Sequence, residues 1–124
     1  MLEYTETNDA PKAIGPYSQA IRFENLLFLS GAIPLNPDTG EVVGDTIEEQ
    51  TKQVIKNITG ILNANNINFK HVIKTTCFLS DMQNFDDFNK VYETAFISKP
   101  ARSCVAVKEL PKNVLCEIEL IAYI

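Results

Sequence analysis

From Thr46 to Asn65 runs one long stretch whose inward positions recur at helical spacing: Ile47, Thr51, Val54, Ile58, Ile61 and Asn65, widened by Ile55 and Leu62. A helix with one such stripe must lay it against another layer, and most of the remaining chain alternates at the period of a β-strand. Thr46-Ile47-Glu48-Glu49 has the form of a capping box that starts this helix, and Asn65-Asn66 ends it. A second helical face comprises Phe85, Phe88, Val91, Tyr92, Ala95 and Phe96; Ser80-Asp81-Met82-Gln83 reads as its capping box, and it ends before Pro100. Strands are expected at Tyr4 to Thr7, Gln19 to Phe23, Leu26 to Ile33, Val72 to Leu79, 101–107 and 114–123. Glu24-Asn25 joins the second and third as a hairpin. The order ββ(β)αβαββ predicts an α+β fold, a mixed sheet with both helices on one face. Its other face, carrying residues such as Val105, Ile118 and Ile121, would be bare and would call for subunit packing through the sheet.

With 124 residues and no linker, repeat or low-complexity tract, the chain reads as a single domain over 1–124. Eleven basic residues against sixteen acidic ones give a net charge of -5, which argues against a phosphate-binding surface and so against nucleic acid or anionic membranes as partners. Three cysteines, an odd number without close spacing, describe neither a disulfide framework nor a zinc site. A reducing cytoplasm is the expected setting. The N-terminus has no basic stretch followed by an apolar run, and no apolar segment is long enough to span a bilayer.

The residue that stands out is Arg102, set in Pro100-Ala101-Arg102-Ser103-Cys104-Val105-Ala106-Val107, which otherwise reads as a buried strand. The chain has nine lysines and only two arginines, so a guanidinium here is not its ordinary source of positive charge. A planar fork of fixed donors suits a carboxylate. Alternation puts Arg102, Cys104 and Ala106 on one face of this strand, and Glu117, Glu119, Ile121 and Tyr123 on one face of the next. If the last two strands pair antiparallel with Arg102 opposite Glu119, Arg102 comes within diagonal reach of Glu117. Two accounts then stand level: a cross-strand ion pair neutralising buried charge, or a carboxylate-binding arginine beside a glutamate that activates water.

Ile14-Gly15-Pro16-Tyr17-Ser18-Gln19-Ala20 sets a phenol in a glycine-proline loop, and Ser30-Gly31 interrupts a strand. Glycine in a strand marks either a bulge or the close approach of another group. For Tyr17 by itself a packed loop tyrosine is the simpler account. His71, the only histidine, beside Lys70 at the start of a strand, reads as exposed or capping, so neither a catalytic triad nor a zinc site can be assembled. Cys77 and Cys116 read as packing groups, and Asn89 as a surface residue.

Taken together, these motifs resemble the Rid (YjgF-type) family of reactive intermediate deaminases, most of all its RidA branch. The resemblance covers nearly the whole chain, through Ala10-Pro11, Ile14 to Ala20, Ser30-Gly31 with Ile33-Pro34, Pro37 with Thr39-Gly40-Glu41, Pro100 to Val105, and Leu110-Pro111 with Glu117-Ile118-Glu119. It implies a chorismate-mutase-like fold, a homotrimer packed through its sheets, and ligand sites in the clefts between subunits. It also implies hydrolysis of 2-imino acids or their enamine tautomers, such as 2-aminoacrylate, 2-iminopropanoate and 2-iminobutanoate, to 2-oxo acids and ammonia without metal or organic cofactor. On matching motifs, Arg102 would bind the substrate carboxylate, Glu117 and the Cys104 carbonyl would position water, and Tyr17, Ser30, Gly31 and Asn89 would line the pocket. Ala32 stands where many relatives have glutamine, and the 96–99 stretch is shorter than in some; both bear on specificity. The competing functions are a regulatory module that binds small carboxylates without turnover and, less favoured by the acidic charge, an endoribonuclease or translation inhibitor.

Overall fold

The computed structural model describes all 124 residues. Six strands form one sheet: β1 (Leu2–Thr5), β2 (Ala20–Phe23), β3 (Leu26–Ala32), β4 (Val72–Leu79), β5 (Ala101–Ala106) and β6 (Cys116–Tyr123). Their order across the sheet is β1-β2-β3-β6-β4-β5, antiparallel throughout except for the parallel β4–β5 pair. Helices α1 (Ile47–Ala64) and α2 (Phe85–Ala95) pack on one face, as the pattern predicts.

α1 starts at the predicted capping box: the Thr46 hydroxyl accepts from the Glu49 amide, and the Glu49 carboxylate accepts from the Thr46 amide. Val54, Ile58, Ile61 and Leu62 are buried against Leu27, Leu29, Ile118 and Leu120 of the central strands. Three polar side chains on the same helix are buried as well: Thr51 bonds back to the Ile47 carbonyl, while Gln50 and Asn57 hold the chain around the sheet's end. The Asn57 amide donates to the carbonyls of Ile33 and Leu35, and Gln50 donates to Gly44 and accepts from the Leu115 amide. These bonds satisfy the loop backbone where no strand partner is available.

Several boundaries differ from the sequence expectation. β1 lies two residues earlier, because its pairing with β2 ends at Thr5 opposite Ala20, after which the Thr7 amide turns to the Gln19 side chain. Asp81, not Ser80, caps the second helical segment; its carboxylate accepts from the Gln83 amide at the head of a short 3-10 turn, Met82–Asn84, that leads into α2. β6 begins at Cys116 rather than 114, after a 3-10 turn at Pro111–Asn113.

The larger correction concerns the last two strands. β5 does not pair with β6; it lies parallel to β4, with Thr75 opposite Arg102 and Cys77 opposite Cys104, while β6 takes β4's other edge. The helical connection β4-α2-β5 returns the chain in the same direction beside its starting strand, and this crossover governs instead of a hairpin through 109–113. Ile118 is also corrected: it is fully buried on the helix side. The uncovered face carries Phe28, Ile121 and Val105 with Lys74, Thr76, Phe78, Glu117 and Glu119. No helix is long and apolar enough to cross a membrane.

Candidate active site

Strand alternation decides where the candidate residues point. Arg102 and Cys104 share the helix-facing side with Thr75 and Cys77, whereas Glu117 and Glu119 share the bare side with Phe78 and Thr76. Arg102 and Glu117 are therefore on opposite faces, two strands apart, and the diagonal contact expected from the sequence does not form. The chain holds two ion pairs, Arg22–Glu3 at 3.7 Å and Lys90–Asp87 at 3.5 Å, and neither includes Arg102. That removes the cross-strand ion pair as an account of this arginine.

Arg102 is fixed in another way. Its Nη1 donates to Asn89 Oδ1 at 2.7 Å, and its guanidinium carbon lies 4.8 Å from the ring centre of Tyr92 and 5.5 Å from that of Phe85. Phe85, Asn89 and Tyr92 follow one another on one face of α2, so the helix presents them together to the edge strand β5. A cavity of about 340 Å³ opens here, bounded by Asn89, Tyr92, Glu93, Phe96, Lys99, Pro100 and Arg102. Cys104 lies beside Arg102 on β5; burial raises its thiol pKa, with the arginine pulling the other way, so the thiol stays protonated at neutral pH. Burial pushes Cys77 up to about 12 and Cys116 up to about 11, as inert packing groups require.

The remaining candidates gather at the end of β3 and the start of β6. Tyr17, Ser30, Gly31 and Glu117 border a second cavity of about 590 Å³ that also reaches Lys12, Ala32 and Pro111. The register between β3 and β6 breaks between Leu29 and Ala32, so Ser30-Gly31 is a bulge. It is a close approach too: a β-carbon on Gly31 would run into the Glu117 carboxylate, reaching 2.8 Å from its Cδ. Only glycine leaves Glu117 its place. The Ser30 hydroxyl donates to the Ser18 carbonyl at 2.6 Å, which ties the Tyr17 loop to the bulge. Gln19 anchors the loop's other side by donating to the carbonyls of Thr7, Ala10 and Pro11. Tyr17 itself is 53% exposed, so it is not the packed loop tyrosine of the simpler account.

Burial, reinforced by the neighbouring Glu119 charge, raises the pKa of Glu117 above its ordinary value. A carboxylate so placed holds protons more strongly than a free one and makes a better base once ionised. His71 caps a turn, its ring nitrogen accepting from the Asn68 amide, and no cluster of His, Cys, Asp or Glu has the makings of a metal site. The sequence reading missed Phe85 and Tyr92 as neighbours of Arg102, having given both to the core. Their spacing with Asn89 was the available signal.

Each candidate residue thus belongs to one of two half-sites. Arg102, with Cys104 beside it on the outer strand β5 and Asn89 facing it from α2, forms a cation-bearing half; Tyr17, Ser30, Gly31 and Glu117 form a carboxylate-bearing half near the middle of the sheet.

Comparison with known proteins finds that a family profile described as endoribonuclease L-PSP matches residues 7–124. AldR of Lactococcus lactis, provisionally named a regulator, is 56% identical over 98% of this chain and 97% of its own. The chloroplastic Reactive Intermediate Deaminase A of Arabidopsis thaliana is 46% identical over 97% of this chain and 65% of its own. Among solved structures, Escherichia coli TdcF with bound serine superposes with a TM-score of 0.92 at 39% identity, covering 98% of both chains.

Proposed function

Because the chain belongs to the endoribonuclease L-PSP family, which comprises the YjgF/Rid proteins, we propose that it hydrolyses small 2-imino acids and their enamine tautomers to 2-oxo acids and ammonia. The observation that carries this reading is Arg102: a half-buried guanidinium held in place by an amide oxygen and two aromatic faces, with no carboxylate of the chain on its fork. Such a group is prepared for a carboxylate that arrives from outside.

One chain cannot close both halves on a molecule the size of 2-iminobutanoate, since Arg102 and Glu117 face opposite sides of the sheet. The reading therefore includes a homotrimer in which Arg102 of one copy meets Glu117, Tyr17, Ser30 and Gly31 of the next. The exposed Phe28 and Val105 on the bare face supply apolar surface for that packing.

The chemistry then needs little machinery. Arg102 takes both carboxylate oxygens, and Asn89 keeps the fork in its plane. Glu117, together with the Cys104 carbonyl on the edge strand, orients a water beside the imine carbon. The water oxygen bonds to the carbon of the protonated imine while Glu117 accepts one water proton, giving a carbinolamine. Glu117 returns that proton to the nitrogen, and as the C–N bond breaks the hydroxyl becomes the new carbonyl and gives its proton to Glu117, releasing ammonia and leaving the 2-oxo acid. The Cys104 thiol takes no part. The endoribonuclease of the family's description is not carried over, because the chain is acidic and lacks a basic, aromatic surface.

The test is hydrolysis of 2-aminoacrylate or 2-iminobutanoate generated in situ by a dehydratase. Wild type should accelerate it and Arg102→Ala should lose about 100-fold or more in kcat/KM. A folded assembly that gives no acceleration while still binding 2-oxo acids would favour a regulatory carboxylate-binding module.

A further inference from the structure

Tyr92 belongs to the buried core, yet its ring also meets the Arg102 guanidinium, a contact that the proposed reaction does not account for. Its ring lies 4.8 Å from the Arg102 guanidinium, and that ring is itself immobilised on two sides. The phenol oxygen shares a 2.7 Å hydrogen bond with Thr75 Oγ1, a fully buried hydroxyl on the strand next to Arg102. Behind it the Phe96 ring is stacked at 4.1 Å with an interplanar angle of 14°. Such a connected set has few ways to relax.

The mode of contact matters for ligand binding. A guanidinium has five N–H donors, all in its plane. An acidic partner would hold Arg102 equally well but would occupy the fork and cancel the charge. A ring holds the cation through its negative face and consumes no in-plane donor. Asn89 takes one donor and, being neutral, leaves the charge intact. The fork remains free for an incoming anion while its position is set.

Resting on the carboxylate-binding role proposed for Arg102, we infer that Tyr92 is the positioning residue of this site: its face, pinned by Thr75 and Phe96, aims the Arg102 fork without occupying it. It sets affinity for the carboxylate group and takes no part in proton transfer.

The experiment weakens the ring's negative face while preserving its shape. Tyr92→Phe is compared with difluorinated and pentafluorinated phenylalanine at the same position, reading KM and kcat for imine hydrolysis, the Kd of pyruvate by calorimetry, and the urea midpoint. Tyr92→Phe, which keeps the ring face and the Phe96 stack but loses the Thr75 bond, should weaken pyruvate binding about threefold, and fluorination should weaken it further stepwise, to about tenfold below Phe at the pentafluoro ring, with kcat nearly constant. A purely structural tyrosine would move the urea midpoint and leave Kd and KM flat across the series, which overturns the inference. Arg102→Ala measured beside the series separates the two readings. If it abolishes pyruvate binding while fluorination has no effect, the platform alone is wrong. If it leaves pyruvate binding intact, the carboxylate role and the platform fall together.

Discussion

At the residue scale the two half-sites make opposite demands on stability. Arg102 is stabilised by its surroundings, whereas Glu117 sits where burial and the Glu119 charge both oppose its ionisation. The sign follows from linkage. Below the ordinary carboxylate pKa the group is protonated folded or unfolded and contributes nothing; above its raised folded value it is ionised in both states, and folding bears the full cost. Glu117→Gln should therefore raise the melting temperature at neutral pH by about 2–4 °C while abolishing turnover. The gain should vanish as pH falls through the raised folded value towards the ordinary one, and a series of thermal melts against pH measures it. Removing the Glu119 charge should lower the raised pKa, so Glu119→Gln should shift the acidic limb of kcat/KM to lower pH relative to wild type. At Gly31 an added methyl group meets the movable end of Glu117 rather than backbone. Gly31→Ala should then cost no more than about 1–2 kcal/mol in urea unfolding, yet displace the carboxylate and reduce kcat by at least about tenfold.

At the element scale, α1 acts as a clamp as much as a layer. Its apolar stripe seals the core, and Asn57 and Gln50, buried among it, bind the backbone of Ile33 and Leu35, which line the Glu117 cavity, and of Gly44 and Leu115. Two substitutions separate these tasks. Thr46→Ala removes the N-cap at an exposed end and should cost about 1 kcal/mol without altering KM. Asn57→Leu removes one donor from each of the Ile33 and Leu35 carbonyls, which keep only the Leu35 amide and the Gln53 side chain, and should cost about 1–2 kcal/mol, measured by chemical denaturation, with a raised KM as the loop beside Ser30-Gly31 loosens. The capping box of α1 was readable because it is encoded in four adjacent residues. The inward face of Gln50 and Asn57 was not, because their partners are loop carbonyls and one backbone amide, the last 65 residues away.

At the scale of the whole molecule, the division of the site predicts complementation. On the proposed homotrimer, subunits carrying Arg102→Ala and subunits carrying Glu117→Gln should each be inactive alone. Unfolded together at equal ratio and refolded, they should recover roughly a quarter of wild-type activity, since one site in four pairs an intact Arg102 with an intact Glu117 of the next copy. No recovery in trimers of confirmed mixed composition would mean that the site is not shared between chains.

The sequence by itself determined the elements, the placement of both helices on one face of the sheet and the identity of the candidate residues. Periodicity, caps and strand alternation are local properties, and Arg102 stood out as a lone guanidinium in a strand. Local pattern also grouped residues correctly within each strand, with Arg102 and Cys104 on one face and Glu117 and Glu119 on one face, but did not say which face meets the helices, so Ile118 was expected on the wrong side. It could not say which strands are neighbours. The return through α2 places β5 on the outer edge of β4, and that long-range choice sends Arg102 and Glu117 to opposite sides of one sheet. The same choice brings α2 over β5, where the rings of Phe85 and Tyr92 meet the guanidinium. Strand order is settled by the packing free energy of the whole chain, and the tertiary structure alone decided it.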